Sequence, residues 1–368
     1  MKIVYILTRS DTIGGASIHL LNLAAAIKSN GNDVLIFAGG DGIFFKYARQ
    51  FGLECYPLRF LVREINPFKD IRCFFELKDK ISTIKPDLIH LHSTKAGLLG
   101  RLVARNISIP SVFTVHGWAF TEGLPFVRRS IFRLIERLMA KFSDKIITVS
   151  KYDYNLAIDA RVVVESSLEM IHNGIHDVCY SPNNSSTDNN VRIIMVARFE
   201  APKCQIKLIQ ALAMVEQEDW TMEFVGDGPG MSVCKDEALS FGLEKRILFS
   251  GACDDVSQRL SNSDIFVLIS DWEAFPLTIL EAMRAGLPII ASQVGGIPEA
   301  VEHAVNGFLI PRGDTDTLVN AMRDLITSAE MRQNMGKRGR EKFENEFIFN
   351  EMFKKTIKVY EMVVNKKS

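Results

Sequence analysis

Two acids, Glu273 and Glu281, flank a Phe-Pro-Leu-Thr turn in the stretch SDWEAFPLTILEAMRAGLPIIAS, residues 270–292. A pair of carboxylates can serve as general acid and base, ligate a metal, or grip hydroxyl groups. Their positions on the local elements help to choose. Pro276 suits a first helical turn and Gly286 a helix end, so the spacing predicts a helix over about Pro276 to Ala285. Glu273 then lies in the loop before the helix and Glu281 on the helix itself. The two share no helical face, and a Glu-x-x-His type of metal motif is not formed. Glu273 could simply complement the helix dipole. Glu281, among apolar neighbours in mid-helix, is costly unless something such as a ligand's hydroxyl pair hydrogen-bonds it.

Other chemistry-bearing residues follow strand-like runs. After VRIIMVAR comes FEAPK, which sets Arg198 and Lys203 on one loop with Pro202 expected to open the next helix. Two cations there could hold a diphosphate without a metal, or could be an ordinary surface pair. Gly14 and Gly15 follow the first run, where backbone amides could approach a phosphate; tight turns also use glycines. His116 ends FTVH and is followed by Gly117 and Trp118, which places an imidazole at a strand's carboxyl end, facing a cleft or satisfied structurally. The Gly-Asp-Gly-Pro turn at 226–229 lets the backbone run close to something but is not a complete G-x-G-x-x-G. Asp314 and Asp316 read as helix-capping residues rather than metal ligands. The six cysteines (Cys55, Cys73, Cys179, Cys204, Cys234 and Cys253) form no Cys-x-x-Cys and have no histidine at zinc spacing, so they read as reduced packing thiols. No metal is expected.

The elements that must position these groups are legible as an alternation. KIVYIL, DVLIFAG, DLIHLHS, SVFTVH, KIITVS and LEMIHNG are strand-like and separated by helical periodicity such as ASIHLLNLAAAIKSN. The pattern restarts with VRIIMVAR, TMEFVGDG, RILFSG, DIFVLIS, PIIAS and GFLIPR. Such alternation means parallel strands with crossover helices, an α/β chain of two Rossmann-like doubly wound sheets. At 368 residues two domains fit, and the polar, turn-rich stretch HDVCYSPNNSSTDNN marks the joint. The expected division is residues 1–177, a linker 178–190, a second domain 191–345, and a C-terminal helix 346–368 crossing back to the first domain.

A hydrophobic share of 47% with 24% charged residues excludes a disordered chain. The first apolar run, IVYIL, is too short to span a bilayer and has no cleavage site after it, so a cytoplasmic protein is expected. The net charge is zero, yet the chain up to Asp177 carries 23 basic against 17 acidic residues and the remainder the reverse imbalance. Much of the excess lies in PFVRRSIFRLIERLMAKFSDK, where Arg129, Arg133, Arg137 and Lys141 recur every four residues with apolar side chains between them. This is either the solvated face of a core helix or a surface for anionic lipid or a phosphorylated acceptor.

Taken in order, GGAS, HGW, VAR followed by PK, VGDGP, and Glu273 and Glu281 followed by AMRAGLPIIAS and VGGIPE resemble the retaining family 4 glycosyltransferases of the GT-B fold, across essentially the whole chain. The segment LHSTKAGLLGRLVARNISIPSVFTVHGWAFTEG is most similar to the branch that builds bacterial capsule, exopolysaccharide or O-antigen units. The resemblance implies two Rossmann-like domains facing a cleft, the first binding acceptor and the second a UDP- or GDP-sugar. It also implies that Arg198 and Lys203 clamp the diphosphate, helped by the amides of Gly14–Gly15 and Leu277–Thr278. Glu281 would hold the ribose. Glu273, with the amides around Ala274, Phe275 and Pro276, would bind the transferred sugar, and His116 would contact that sugar from the other lobe.

Two departures are Ser17, where many relatives are acidic, and Cys204, beside Lys203, where Asp or Asn is commoner. The implied partners are a nucleotide sugar, a glycan acceptor carried on polyprenyl diphosphate, and an anionic membrane surface, with no nucleic acid and no cofactor. The implied setting is cytoplasmic, peripheral on the inner face of the membrane. A relative with a soluble acceptor and a non-catalytic sugar-nucleotide-binding scaffold remain as alternatives.

Overall fold

The computed structural model describes residues 1–123, 125–178, 190–216 and 219–366. Cys179 and residues 179–189, most of the stretch where the sequence places the domain joint, lie outside the described residues. The chain divides into two compact units, Met1–Asn173 with Met352–Ser368, and Gly174–Glu351.

In the first unit, β1 (Lys2–Leu7), β2 (Asp33–Gly39), β3 (Glu54–Leu58), β4 (Leu88–His92), β5 (Ser111–Val115), β6 (Lys145–Thr148) and β7 (Leu168–Met170) form one parallel sheet in the order β3-β2-β1-β4-β5-β6-β7. The helices connecting them are α1 (Gly15–Ser29), α2 (Phe44–Gln50), α3 (Pro67–Ile84), α4 (Thr94–Asn106), α5 (Phe126–Ala140) and α6 (Lys151–Asp159). In the second unit, β8 (Val191–Val196), β9 (Trp220–Val225), β10 (Ile247–Gly251), β11 (Ile265–Leu268), β12 (Ile289–Ser292) and β13 (Gly307–Ile310) form a parallel sheet in the order β10-β9-β8-β11-β12-β13. It carries α7 (Gln205–Ala213), α8 (Met231–Ser240), α9 (Val256–Ser261), α10 (Leu277–Arg284), α11 (Ile297–Ala300), α12 (Thr315–Thr327) and α13 (Ala329–Glu346). The last helix, α14 (Phe349–Asn365), belongs from Met352 onward to the first unit.

Helices on both faces bury the central strands, which is why β4, β5, β11 and β12 read as unbroken apolar runs and are buried throughout. In both sheets the strand order reverses, between β1 and β4 and between β8 and β11. Loops leaving the carboxyl ends of those strand pairs run to opposite sides and open a crevice, the general ligand site of such sheets.

The first sheet carries a buried polar cluster. The Tyr360 hydroxyl is hydrogen-bonded to Tyr5 Oη at 3.0 Å and to His90 Nδ1, and His90 Nε2 to Thr114 Oγ1 at 2.7 Å. These contacts hold the end of α14 on β1 and β4, and desolvation drives the Tyr5 and Tyr360 pKa values upward, keeping both phenols neutral.

Helix α5 departs from the core-helix reading. Its buried side chains are Glu136 and Ala140, whereas Phe126, Val127, Ile131, Leu134 and Leu138 are exposed, Phe126 by 80%. The reason is ionic. Glu136 Oε2 accepts from Arg101 Nη2 of α4 at 2.8 Å with both side chains buried. The guanidinium also donates Nε–H to the Gly97 carbonyl at 2.7 Å and lies 4.6 Å over the Phe113 ring. A buried charge that loses its partner is strongly destabilising, whereas an apolar pair of similar volume can be neutral. Glu136→Ala is therefore expected to lower the unfolding free energy by about 3–5 kcal/mol. Arg101→Met with Glu136→Leu should lower it markedly less, and urea denaturation of the two proteins checks the difference.

Candidate functional site

The two loops at the switch point of the second sheet carry the cationic and acidic candidates. The loop after β8 runs from Ala197 to Cys204, and the loop after β11 from Ile269 to Pro276. They are laced together: Cys204 N–H donates to the Ile269 carbonyl at 2.9 Å, Asp271 N–H to the Pro202 carbonyl at 2.9 Å, and Lys203 bridges Ser270. Pro202 is held in this lacing and does not open the helix, which starts only at Gln205. Across the junction Lys203 Nζ forms an ion pair with Glu273, both side chains largely buried. Lys207 reaches Asp271 at 2.8 Å, and Arg312 donates to the Asp271 carbonyl. Arg198 is turned to Glu200, and its carbonyl accepts from Gln205 Nε2 at 2.9 Å.

Close backbone approaches fix both loops. What the Gly-Asp-Gly-Pro turn runs close to is the Arg198 loop, since Phe199 N–H donates to the Asp227 carbonyl and Gly230 N–H to the Phe199 carbonyl, each at 2.9 Å. Gly295, at φ +55°, lies so near Glu273 that an added Cβ would stand 1.7 Å from the Glu273 carbonyl oxygen. The Ala274 carbonyl accepts from Gly296 N–H at 2.8 Å, and Phe275 is buried with its ring 5.5 Å from that of Phe347.

Pro276 then caps α10, as its fixed φ allows, so that the amides of Leu277 and Thr278 open the helix without intrahelical acceptors. Such an N-terminus attracts anions. Glu281 sits one turn further along, partly buried, and desolvation pushes its carboxyl pKa up to about 7 against the opposing charge of Arg284. Arg284 is itself occupied, donating to the His176 carbonyl at 2.9 Å and to Ser257 Oγ at 2.8 Å. Cys204 beside the cations is not a reactive thiol. It is buried, and desolvation raises its pKa to about 11. Asp314 is a helix cap, accepting from Thr317 N–H at 2.9 Å.

In the first unit the corresponding loops carry Gly14, Gly15 and the histidines. Gly14 caps α1, and an added Cβ there would meet nothing within 4 Å. Packing within the protein therefore does not demand glycine at this helix N-terminus. His116 follows β5, and its Nε2 lies 2.9 Å from Nδ1 of His92, the last residue of β4. His19 of α1 meets the His116 ring edge-on at 4.9 Å. Burial and mutual repulsion hold His92 and His116 well below the ordinary imidazole pKa, and burial lowers His19 to about 4, so the three rings are neutral at pH 7.

Of the residues singled out in the sequence, the structure brings Lys203 directly onto Glu273 and sets Ala274 to Thr278 at the start of α10, one turn before Glu281. Arg198 shares the Lys203 loop, with its side chain on Glu200. His116, Gly14 and Gly15 lie in the other unit. Sequence reasoning missed Asp271 with Lys207, and His19 with His92. The alternating His-x-His of LIHLHS, with its two imidazoles on one strand face, was the available signal for His92.

Comparison with known proteins shows the family and the fold. A family model described as Glycosyltransferase Family 4 matches residues 13–177, and one described as Glycosyl transferases group 1 matches residues 180–342. Over 323 residues the chain is 31% identical to UDP-Gal:alpha-D-GlcNAc-diphosphoundecaprenol alpha-1,3-galactosyltransferase of Escherichia coli, covering 83% of each protein. Among solved structures, sucrose-phosphate synthase of Thermosynechococcus elongatus superposes with a TM-score of 0.85 at 20% identity over 100% of both chains. The Anabaena protein HepE, in complex with UDP-glucose, gives a TM-score of 0.82 at 22% identity over 98% of this chain and 99% of its own. The fold is thus the two-unit α/β architecture called GT-B. With switch-point loops that present cations, an acid and a helix N-terminus, and with a relative of this identity and coverage, the chain belongs to the family 4 glycosyltransferases.

Proposed function

We propose that this glycosyltransferase moves a sugar from a UDP- or GDP-sugar to a glycan acceptor carried on polyprenyl diphosphate, with retention of anomeric configuration and without a metal, in the building of a bacterial surface polysaccharide. The observation that carries the donor half is the laced pair of loops, with Lys203 paired to Glu273 beside the N-terminus of α10. A diphosphate entering there offers Lys203 a second anion. It is also met by Arg198 and by the amides of Leu277 and Thr278, donors suited to charge that develops on a leaving diphosphate.

Glu273, with the backbone around Ala274, Phe275 and Pro276, holds hydroxyls of the transferred sugar, and Glu281 holds the ribose hydroxyl pair. The first unit supplies His116, a neutral imidazole for a sugar hydroxyl, and the amides at Gly14 and Gly15 for a phosphate. In the transfer step the bond from the anomeric carbon to the diphosphate oxygen breaks as the acceptor oxygen bonds to the same face. The acceptor's proton passes to the leaving diphosphate, so no carboxylate base is needed.

The acceptor half rests on two supports. The relative from Escherichia coli is named for a diphosphoundecaprenol acceptor. In addition, α5 pairs the exposed Phe126, Val127, Ile131 and Leu134 with the exposed Arg128, Arg133 and Arg137, a surface suited to an anionic bilayer. No helix among the described residues is long and apolar enough to cross a membrane.

Lys203→Ala is expected to lower transfer at least about a hundredfold with the melting curve kept, and EDTA to leave the wild-type rate unchanged. A near-normal rate for Lys203→Ala, or a strict metal requirement, would contradict the clamp. Ribose hydroxyls bind the carboxylate form of Glu281, whose free pKa is about 7. Affinity for a nucleotide sugar, whose diphosphate does not titrate near neutrality, should therefore fall as pH drops below 7. Binding should release a proton, and Glu281→Gln should abolish both effects in calorimetry across buffers. On anionic vesicles at low salt the chain should sediment with the lipid. Arg133→Gln with Arg137→Gln should weaken this at least about tenfold, given roughly 1 kcal/mol per basic residue. Indifference to vesicles would favour a soluble acceptor.

A further inference from the structure

Three histidines of the first unit, His19, His92 and His116, have a geometry that sugar binding does not require. Registers β1–β4 and β4–β5 pair Leu7 with His92 and His92 with Thr114, so His90, His92 and His116 project from the same side of the sheet at its carboxyl end. His90 is committed on both nitrogens, to Tyr360 and Thr114. The others are not. His92 Nε2 and His19 Nδ1 are buried and have no hydrogen-bond partner among the described residues, while His92 itself is 0% and His19 7% exposed. One nitrogen from each of His19, His92 and His116 lies within 4.8 Å of the corresponding atom of the other two.

Buried polar atoms left unpaired are uncommon in native proteins and point to a missing partner. Three imidazoles clustered this closely can supply the donor set of a tetrahedral site with its fourth position open. Bonds of about 2.05 Å place such nitrogens about 3.3 Å apart. Ligation through His92 Nδ1, the nitrogen 2.9 Å from His116 Nε2 rather than the unpaired Nε2, must therefore part that pair slightly, and the His19 ring must swing inward. The set contains no carboxylate and only neutral nitrogen donors, which selects zinc, cobalt, nickel or copper over magnesium or calcium. Of the three rings, that of His116 is only partly buried.

We propose that His19, His92 and His116 form a binding site for a borderline divalent cation, with Zn2+ as the physiological candidate, and that its occupation withdraws His116 from the transfer reaction. The protein is then an enzyme that needs no metal and is reversibly inhibited by one. The inhibitory half rests on the functional reading above, in which His116 meets the transferred sugar. The binding half does not.

The test separates the two. Adding Co2+ to the EDTA-treated full chain should give visible absorption of tetrahedral intensity at one ion per chain, abolished by Zn2+ and untouched by excess Mg2+. His19→Gln and His92→Gln should each weaken Zn2+ binding about a hundredfold or more against a chromophoric chelator, with circular dichroism and melting curves confirming that the variants fold. No absorption, or variants that bind Zn2+ as tightly as the wild type, would overturn the site and leave a neutral histidine cluster. In transfer assays Zn2+ at the concentration that saturates the site should suppress the rate, chelator should restore it, and the residual activity of His19→Gln should be indifferent to Zn2+. Saturating Zn2+ that leaves the rate unchanged, or that is needed for it, would overturn the inhibitory half while the spectroscopic result stands.

Discussion

The second unit is organised around one constraint: the reversal of strand order between β8 and β11. It sends the loops after these strands to opposite sides and leaves a gap at the top of the sheet. Backbone hydrogen bonds from Cys204 to Ile269 and from Asp271 to Pro202 close the base of that gap, and the Lys203–Glu273 ion pair closes its mouth. A largely buried lysine and carboxylate must satisfy each other when nothing else is bound, because either left alone bears the full cost of desolvation. The same pair is therefore a stable resting arrangement; in the function proposed above, an incoming diphosphate would take over the lysine and sugar hydroxyls the glutamate. The near contact of Gly295 with the Glu273 carbonyl fixes the backbone that carries this glutamate.

Around that pair the acids divide their labour by environment. Glu273 is paired with Lys203, whereas burial of Glu281 on α10 outweighs the opposing charge of Arg284 and pushes its pKa up to about 7. A carboxyl poised in this way gains more from a ligand that donates hydrogen bonds than one already satisfied. The first unit uses the opposite device. There His19, His90, His92 and His116 are clustered and neutral, so they offer nitrogen lone pairs and N–H donors rather than charge, while the basic residues of α5 are displayed outward.

Much of this was legible in the sequence because parallel sheets covered on both faces write their strands as apolar runs. Every strand inferred from such a run is present. β3 escaped because it is an edge strand: Glu-Cys-Tyr-Pro-Leu is mostly exposed and carries a proline, so it has neither an apolar run nor a clean alternation. The helix after the Phe-Pro-Leu-Thr turn was readable from its proline and glycine, and with it the separation of Glu273 from Glu281. The outward face of α5 was not, since periodicity shows that a helix has two faces but not that a buried Arg101–Glu136 pair will choose which one turns inward. The meeting of Lys203 with Glu273 depends on strand order, a tertiary fact. The convergence of His19, His92 and His116 depends on three elements far apart in the chain, which no spacing rule for metal ligands detects.

The central claim is that the donor's diphosphate lies across the two laced loops and the N-terminus of α10. Hydrogen–deuterium exchange of the full chain, with and without whichever of a UDP-, GDP- or ADP-sugar raises its melting temperature, measures this at the amides themselves. The account predicts slowed exchange at residues 198–203 and 273–278, with the largest effect at Leu277 and Thr278. Protection confined to other parts of the second unit, with those amides unchanged, would contradict it.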